Sequence, residues 1–236
     1  MRTLLLCLAF AIGTPAMGQN LTEDEVKQLA LEAILENPEI VMQAVEILRQ
    51  REEAAKGSQA QAALSTYRDD LENDPNAPVL GNPDGDVTLV EFFDYNCPYC
   101  RKAKPVLEAL LAADPNVRLV FREWPILGEG SVFAARAALA ARKQGKYEEF
   151  HWAMMAMNGR ADEASTMRVA ERIGLDLDRL RADMSDPAID AHFRLSSEIT
   201  QALGFSGTPS FVVGENLIGG LVDAETLIRS VQSERE

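Results

Sequence analysis

Apolar residues recur along this chain at two different spacings, and the change between them divides it. Over residues 21–36, Val26, Leu29, Ala30, Ala33 and Ile34 fall on one helical face. Thr22 suits the N-cap, and Glu25 three residues on completes a capping box. Asn37-Pro38 interrupts the stripe, because the residue before a proline is driven out of helical geometry. Pro38 suits the first turn of a second helix, with Ile40, Val41, Ala44, Val45, Ile47 and Leu48 as its stripe. Residues 49–56 are polar, and Gly57-Ser58-Gln59 is a weak point that predicts a hinge. Helix resumes over 60–71 and ends at Asn73-Asp74-Pro75. Turn residues crowd positions 73–86 and mark a domain boundary.

The period then shortens. Residues 87–94 are almost continuously apolar, as in a strand covered on both faces. A helix opens at Cys97 and runs to 113, with a kink expected at Pro105. Residues 116–123 form a second strand, parallel to the first through a right-handed crossover. Helical patterns cover 131–144, 147–158, 163–173, 176–184 and 187–203. Strands at 210–213 and 216–219 and a helix at 223–233 complete an α/β chain.

Its 236 residues allow one core and an appendage. A formal net charge of −14 argues against nucleic acid or anionic membrane as partner. Residues 1–18 read as a secretory leader: Arg2, an apolar run over 4–12, Pro15, then small residues before a cleavage near Gly18. No later stretch is long and apolar enough to span a bilayer. Loss of the leader removes Cys7 and leaves Cys97 and Cys100 in an exported protein, placed in the periplasm, where disulfide chemistry is possible.

Cys97 and Cys100 form a C-x-x-C at a helix start. There the unpaired backbone N–H groups and the helix dipole favour a thiolate. Arg101, Lys102 and Lys104 add positive charge. Such surroundings lower a thiol from its usual value of about 8.5. Cys97 is then the exposed attacking sulfur, and Cys100, more buried, resolves the mixed disulfide. A zinc site needs about four ligands, and His151 and His192 lack ligand spacing to the pair, so no metal site is assigned. A bond closing so short a loop is a poor structural staple.

The stretch Phe92-Phe93-Asp94-Tyr95-Asn96-Cys97-Pro98-Tyr99-Cys100, followed by a basic helix, resembles the DsbA-like branch of the thioredoxin superfamily. Within it, the helical N-terminal extension is similar to the ScsC-type group. Gly207-Thr208-Pro209-Ser210 is the second motif that carries the resemblance. It implies a thioredoxin fold with a helical subdomain inserted at about 128–204. It also implies a cis Thr208–Pro209 bond against the cysteines, holding the substrate backbone, and Glu91 as a buried proton acceptor beneath them. Pro98-Tyr99 stands where the strongest oxidants of the branch carry Pro-His, which implies a less oxidising disulfide.

The domains expected are therefore a leader over 1–18, an oligomerisation stalk and linker over 19–76, and a catalytic domain over 77–236. The stalk cannot cover its own apolar faces, and the resemblance implies a homo-oligomer, a trimer in preference to a dimer. The activity expected is that of a protein disulfide isomerase or reductase acting on cysteine-containing exported proteins and recycled by a membrane redox partner, with no cofactor. A DsbA-type dithiol oxidase is the alternative. A further one is a copper-binding or chaperone protein, with Cu(I) held by Cys97 and Cys100. His151, Met154 and Met155 share a helical face that also suits Cu(I), but core filling explains it better.

Overall fold

The computed structural model describes residues 21–236. The expected leader, its cleavage near Gly18 and Cys7 lie outside the described residues. The chain divides into two compact units, one ending at Glu53 and one spanning Ala54–Glu236.

In the first unit, α1 (Glu23–Glu36) begins with the expected capping box: the Thr22 hydroxyl accepts from the Glu25 N–H, and the Glu25 carboxylate accepts from the Thr22 N–H. Helix α2 (Glu39–Asn73) starts just after Pro38. Every described residue of this unit is exposed, including Val26, Leu29, Val41, Val45 and Leu48 of the apolar stripe.

The expected break at Gly57 is absent, and α2 continues to Asn73. Its residues 54–73 belong to the second unit, with Leu64 and Leu71 buried. The segment taken for a linker is thus a covering helix. A glycine costs a helix about 1 kcal/mol, and burying one leucine contributes about 2 kcal/mol. Two buried leucines therefore outweigh Gly57, whose Cα faces open space.

The second unit is built on a five-stranded sheet of order β1-β3-β2-β4-β5. β2 (Val87–Phe93) and β3 (Val117–Glu123) are parallel, as their helical crossover requires. β4 (Ser210–Val213) joins β2 antiparallel, and β5 (Asn216–Gly219) joins β4. β1 (Val79–Gly81), not anticipated in the turn-rich stretch, pairs antiparallel with β3. Alternation along the strands sorts two cores. Leu89, Phe93, Leu119, Phe121, Phe211 and Val213 pack with α3 (Pro98–Ala113) and α9 (Ala224–Ser233). Val90, Phe92, Val120 and Val212 pack with Leu64 and Leu71 of α2 and Ile199 of α8 (Pro187–Ala202).

Between β3 and β4 lie α4 (Glu129–Arg142), α5 (Tyr147–Met155), α6 (Glu163–Arg172), α7 (Leu177–Asp183) and α8. This is the expected helical insertion in a thioredoxin fold. Helix α3 continues through Pro105. His151, Met154 and Met155 are all buried on α5, and His151 Nδ1 lies 3.1 Å from the Tyr95 hydroxyl. Burial, then the nearby Lys104 charge, pushes the His151 imidazole down to about 3. The face read as a possible copper site is core.

Candidate active site

β2 delivers the chain into a turn that its own residues build. The Asp94 carboxylate, almost fully buried, accepts from the Asn96 N–H at 2.7 Å and from the Leu127 N–H at 2.9 Å. The Cys97 N–H bonds the Asp94 carbonyl at 3.0 Å. Cys97 is the N-cap of α3, and Pro98 fills its first turn, where a missing N–H costs nothing.

Both thiols are unpaired, so this is the dithiol state. Cys97 is only 4% exposed, not open as the sequence suggested. Its sulfur faces the loop before β4 and, while it keeps its proton, donates to the Thr208 carbonyl at 3.1 Å. The Thr208–Pro209 bond is cis. Of the expected site residues, Cys97, Cys100 and Thr208 meet at one point, with Pro209 buried beside Thr208 and Pro98 and Tyr99 exposed on the helix tip.

The two sulfurs differ sharply. The Cys97 thiol is lowered to about 5, chiefly by a hydrogen bond from Cys100; partial burial opposes this, and Thr208 and the N–H groups of Cys100 and Tyr99 assist. Burial pushes the Cys100 thiol well above its usual range, and its bond to Cys97 adds to this. Cys97 is a thiolate at neutral pH while Cys100 keeps its proton. Glu91 is buried in β2 with Oε1 unpartnered, and burial, then the charge at Cys97, holds its carboxyl well above the usual range.

The basic residues after the motif have other partners. Arg101 Nε donates to the Tyr95 carbonyl at 3.0 Å, and its Nη1 to the Gly159 carbonyl. Lys102 lies over the Tyr99 ring at 5.5 Å. Lys104 pairs with Glu108 and lies over Trp152. Hydrogen bonds at the helix start set the thiolate, and these three cations are not among its main causes.

The sequence reading missed the residues that fasten the α5–α6 loop to the motif. Asn96 Oδ1 accepts from the Ala161 N–H at 2.7 Å, and its Nδ2 donates to the Ala161 carbonyl at 3.0 Å. Arg101 holds the same loop at Gly159. An asparagine before a C-x-x-C carries no local signal of a partner 65 residues away.

Fold and dithiol together define a thioredoxin-fold thiol–disulfide oxidoreductase. Residues 88–232 match the DSBA-like thioredoxin domain, and the chain belongs to that family. Residues 23–55 match the N-terminal domain described for the copper resistance protein ScsC. A thioredoxin-like oxidoreductase of Silicibacter pomeroyi is 61% identical, with a TM-score of 0.71, over 71% of this chain and 97% of that one. A linker-deletion variant of Proteus mirabilis ScsC is 27% identical, with a TM-score of 0.71, over 93% of this chain and 99% of that one. The Na(+)/H(+) antiporter NhaA 3 of Salinispora tropica is 34% identical over 157 residues, which are 66% of this chain and 24% of that protein. The chain thus spans about a quarter of the length of that relative.

Proposed function

We propose that the chain is an exported, oligomeric protein disulfide isomerase or reductase of the periplasm. The observation that carries its chemistry is the split between a Cys97 thiolate and a protonated, buried Cys100. The Cys97 thiolate attacks one sulfur of a substrate disulfide; that bond breaks, a mixed disulfide forms, and the other substrate sulfur leaves as a thiolate. A substrate thiolate then attacks the mixed disulfide and releases Cys97, which is isomerisation. Alternatively Cys100 gives up its proton and attacks Cys97 within the mixed disulfide; the Cys97–substrate bond breaks, the substrate sulfur leaves as a thiolate, and the substrate is reduced, which leaves Cys97–Cys100 for a membrane thiol–disulfide partner to reduce. In this reading Glu91, whose charge acts on Cys100, takes up the Cys100 proton when its own carboxyl is ionised, and the loop at Thr208 and Pro209 guides the substrate backbone, a role that the Cys97 bond to Thr208 supports.

The exposed apolar stripe supports self-association, because large apolar faces left open in one chain are covered by partners, and the ScsC resemblance of the extension is what favours a trimer over a dimer. Several sites in one particle raise the local concentration of thiolate around a misfolded substrate. Leu29→Glu together with Leu48→Glu touches only exposed positions of the first unit. In the full chain it should yield a monomer by analytical ultracentrifugation and a several-fold slower reactivation of scrambled ribonuclease. An oligomer that survives these changes sinks the stripe as its interface, and unchanged reactivation by the monomer sinks the part given to self-association in the isomerase reading. Oxidation of reduced substrate with no reactivation makes it a dithiol oxidase. Tight Cu(I) binding without turnover makes the dithiol a ligand pair.

A further inference from the structure

At both chain neighbours of Cys97 lies an open pocket of about 400 Å³, lined by Asn96, Pro98, Leu127, Gly159 and Arg160. Its walls come from three parts of the chain, and side chains flanking the cysteines fix each of them. Asp94 accepts from the Leu127 N–H, Asn96 grips Ala161 through two bonds, and Arg101 holds the Gly159 carbonyl. Arg160 Nη2 donates to the Leu127 carbonyl at 3.1 Å, closing one lip on the other. Leu127 and Pro98 give the pocket an apolar surface that stays exposed.

Arg160 is the charged residue of this lining. Among the described residues it makes no salt bridge, and Asp162 nearby is turned to cap α6 through the Ser165 N–H. Its guanidinium has five N–H donors, and among the described residues its one hydrogen bond is that to Leu127. The chain as a whole carries −14, so its long-range field repels acidic segments. Attraction of a carboxylate at this point has to be local.

We propose that this pocket is a second substrate subsite, which takes a residue within two positions of the substrate cysteine and favours an acidic one through Arg160. The proposal deepens the thiol-exchange reading above and rests on it. A substrate strand held beside Thr208 advances about 3.3 Å per residue, so a neighbour of its cysteine reaches a pocket lined by both neighbours of Cys97. Asn96 and Arg101 act as positioning residues, since they hold the loop that carries Arg160.

The test uses the full chain with Cys100→Ser, so that the mixed disulfide accumulates. Each peptide has one cysteine bonded to thionitrobenzoate. The Cys97 thiolate attacks the peptide sulfur, and thionitrobenzoate leaves and is read by its absorbance. Peptide pairs differ only in Glu or Lys at one position, scanned from two residues before the cysteine to two after. The Glu-to-Lys rate ratio within one variant cancels any change in Cys97 reactivity. At low ionic strength one position should show a ratio of about ten, the swing of a partly exposed ion pair against a like-charge pair. Arg160→Glu should bring that ratio below one, Arg160→Gln should bring it near one, and Lys102→Glu should leave it. Ratios near one at every position, a ratio indifferent to both Arg160 changes, or an equal response to Lys102→Glu overturns the subsite. No release from any peptide instead overturns the thiol-exchange reading beneath it.

Discussion

Serine at position 97 is expected to reduce disulfide exchange to background, whereas serine at 100 leaves a chain that still attacks and then accumulates mixed disulfides. The asymmetry follows from the two environments. Cys97 caps α3, where N–H groups and the Cys100 thiol stabilise its charge, while Cys100 is sealed beneath it. A thiolate is the nucleophile, so alkylation of the reduced chain by iodoacetamide should occur at Cys97 alone and be half-maximal near pH 5. The folded value lies below that of an unfolded thiol. The stabilisation that Cys97 gives the reduced fold is therefore fully present only above about pH 8.5, and it is lost as pH falls through about 5. Alkylation that keeps the profile of an ordinary thiol would overturn this account.

The same shift bears on the direction of the reaction. A lowered thiol stabilises the reduced form and makes its disulfide a stronger oxidant. A value of about 5 falls between those of thioredoxin, about 7, and DsbA, about 3.5. The potential should accordingly fall between about −270 and −120 mV, as measured by equilibration with glutathione. Tyr99 is 55% exposed at the helix tip, so Tyr99→His can place a cation there without disturbing the core. Each further unit of lowering at Cys97 then raises the potential by about 30 mV.

What could be read from the sequence was local. The cysteine pair, the Thr208–Pro209 motif and the strands at 210–213 and 216–219 each lie within a few residues and carry their own signal. The stretch from 54 to 74 misled because Gly57 and its polar neighbours look like a break. Only the fold shows that Leu64 and Leu71 cover Val90, Phe92 and Val212. β1 is three residues long, too short for a period to register. The exposure of Cys97 was misjudged because the loop that covers it is 111 residues away. Arg160 was overlooked for the same reason: its position depends on Asn96 and Arg101 reaching across the fold.

Arg122 illustrates this most sharply, and its replacement by methionine should destabilise the second unit by about 3–5 kcal/mol, a large part of a typical domain's 5–15. In β3 it reads as an ordinary charged residue, yet it is fully buried on the face that α2 and α8 cover. Its Nη1 donates to the Asp70 carbonyl in the last turn of α2 at 2.7 Å, and its Nη2 lies 3.2 Å from Asp74 Oδ2. Asp74 Oδ2 also lies 3.2 Å from His192 Nδ1, and His192 Nε2 lies 3.0 Å from Glu123 Oε2. The Tyr147 hydroxyl donates to Glu123 Oε1 at 2.7 Å. Two carboxylates against one guanidinium balance only when His192 carries its proton. Burial opposes that proton, but the bonds to Asp74 and Glu123 win and raise its value. Asp74 is correspondingly held at about 2: burial, the largest influence, opposes this, and the bond to His192 leads the group that overcomes it. The His192 contribution is complete below about pH 6.5 and is lost as pH rises through its higher folded value. The Asp74 contribution is complete above 3.8 and is lost as pH falls through about 2. Removing Arg122 alone leaves the Asp74 charge buried and unbalanced, whereas Arg122→Met with Asp74→Asn removes both partners and should recover most of the loss. Trp124 and Trp152 both lie in the second unit, so urea unfolding followed by their fluorescence reports this unit. A loss under about 1 kcal/mol from the single change would reduce the pair to the worth of a surface salt bridge, and the end of α2 would then be held chiefly by Leu64, Leu71 and the Arg68 bonds to Gly214 and Glu215.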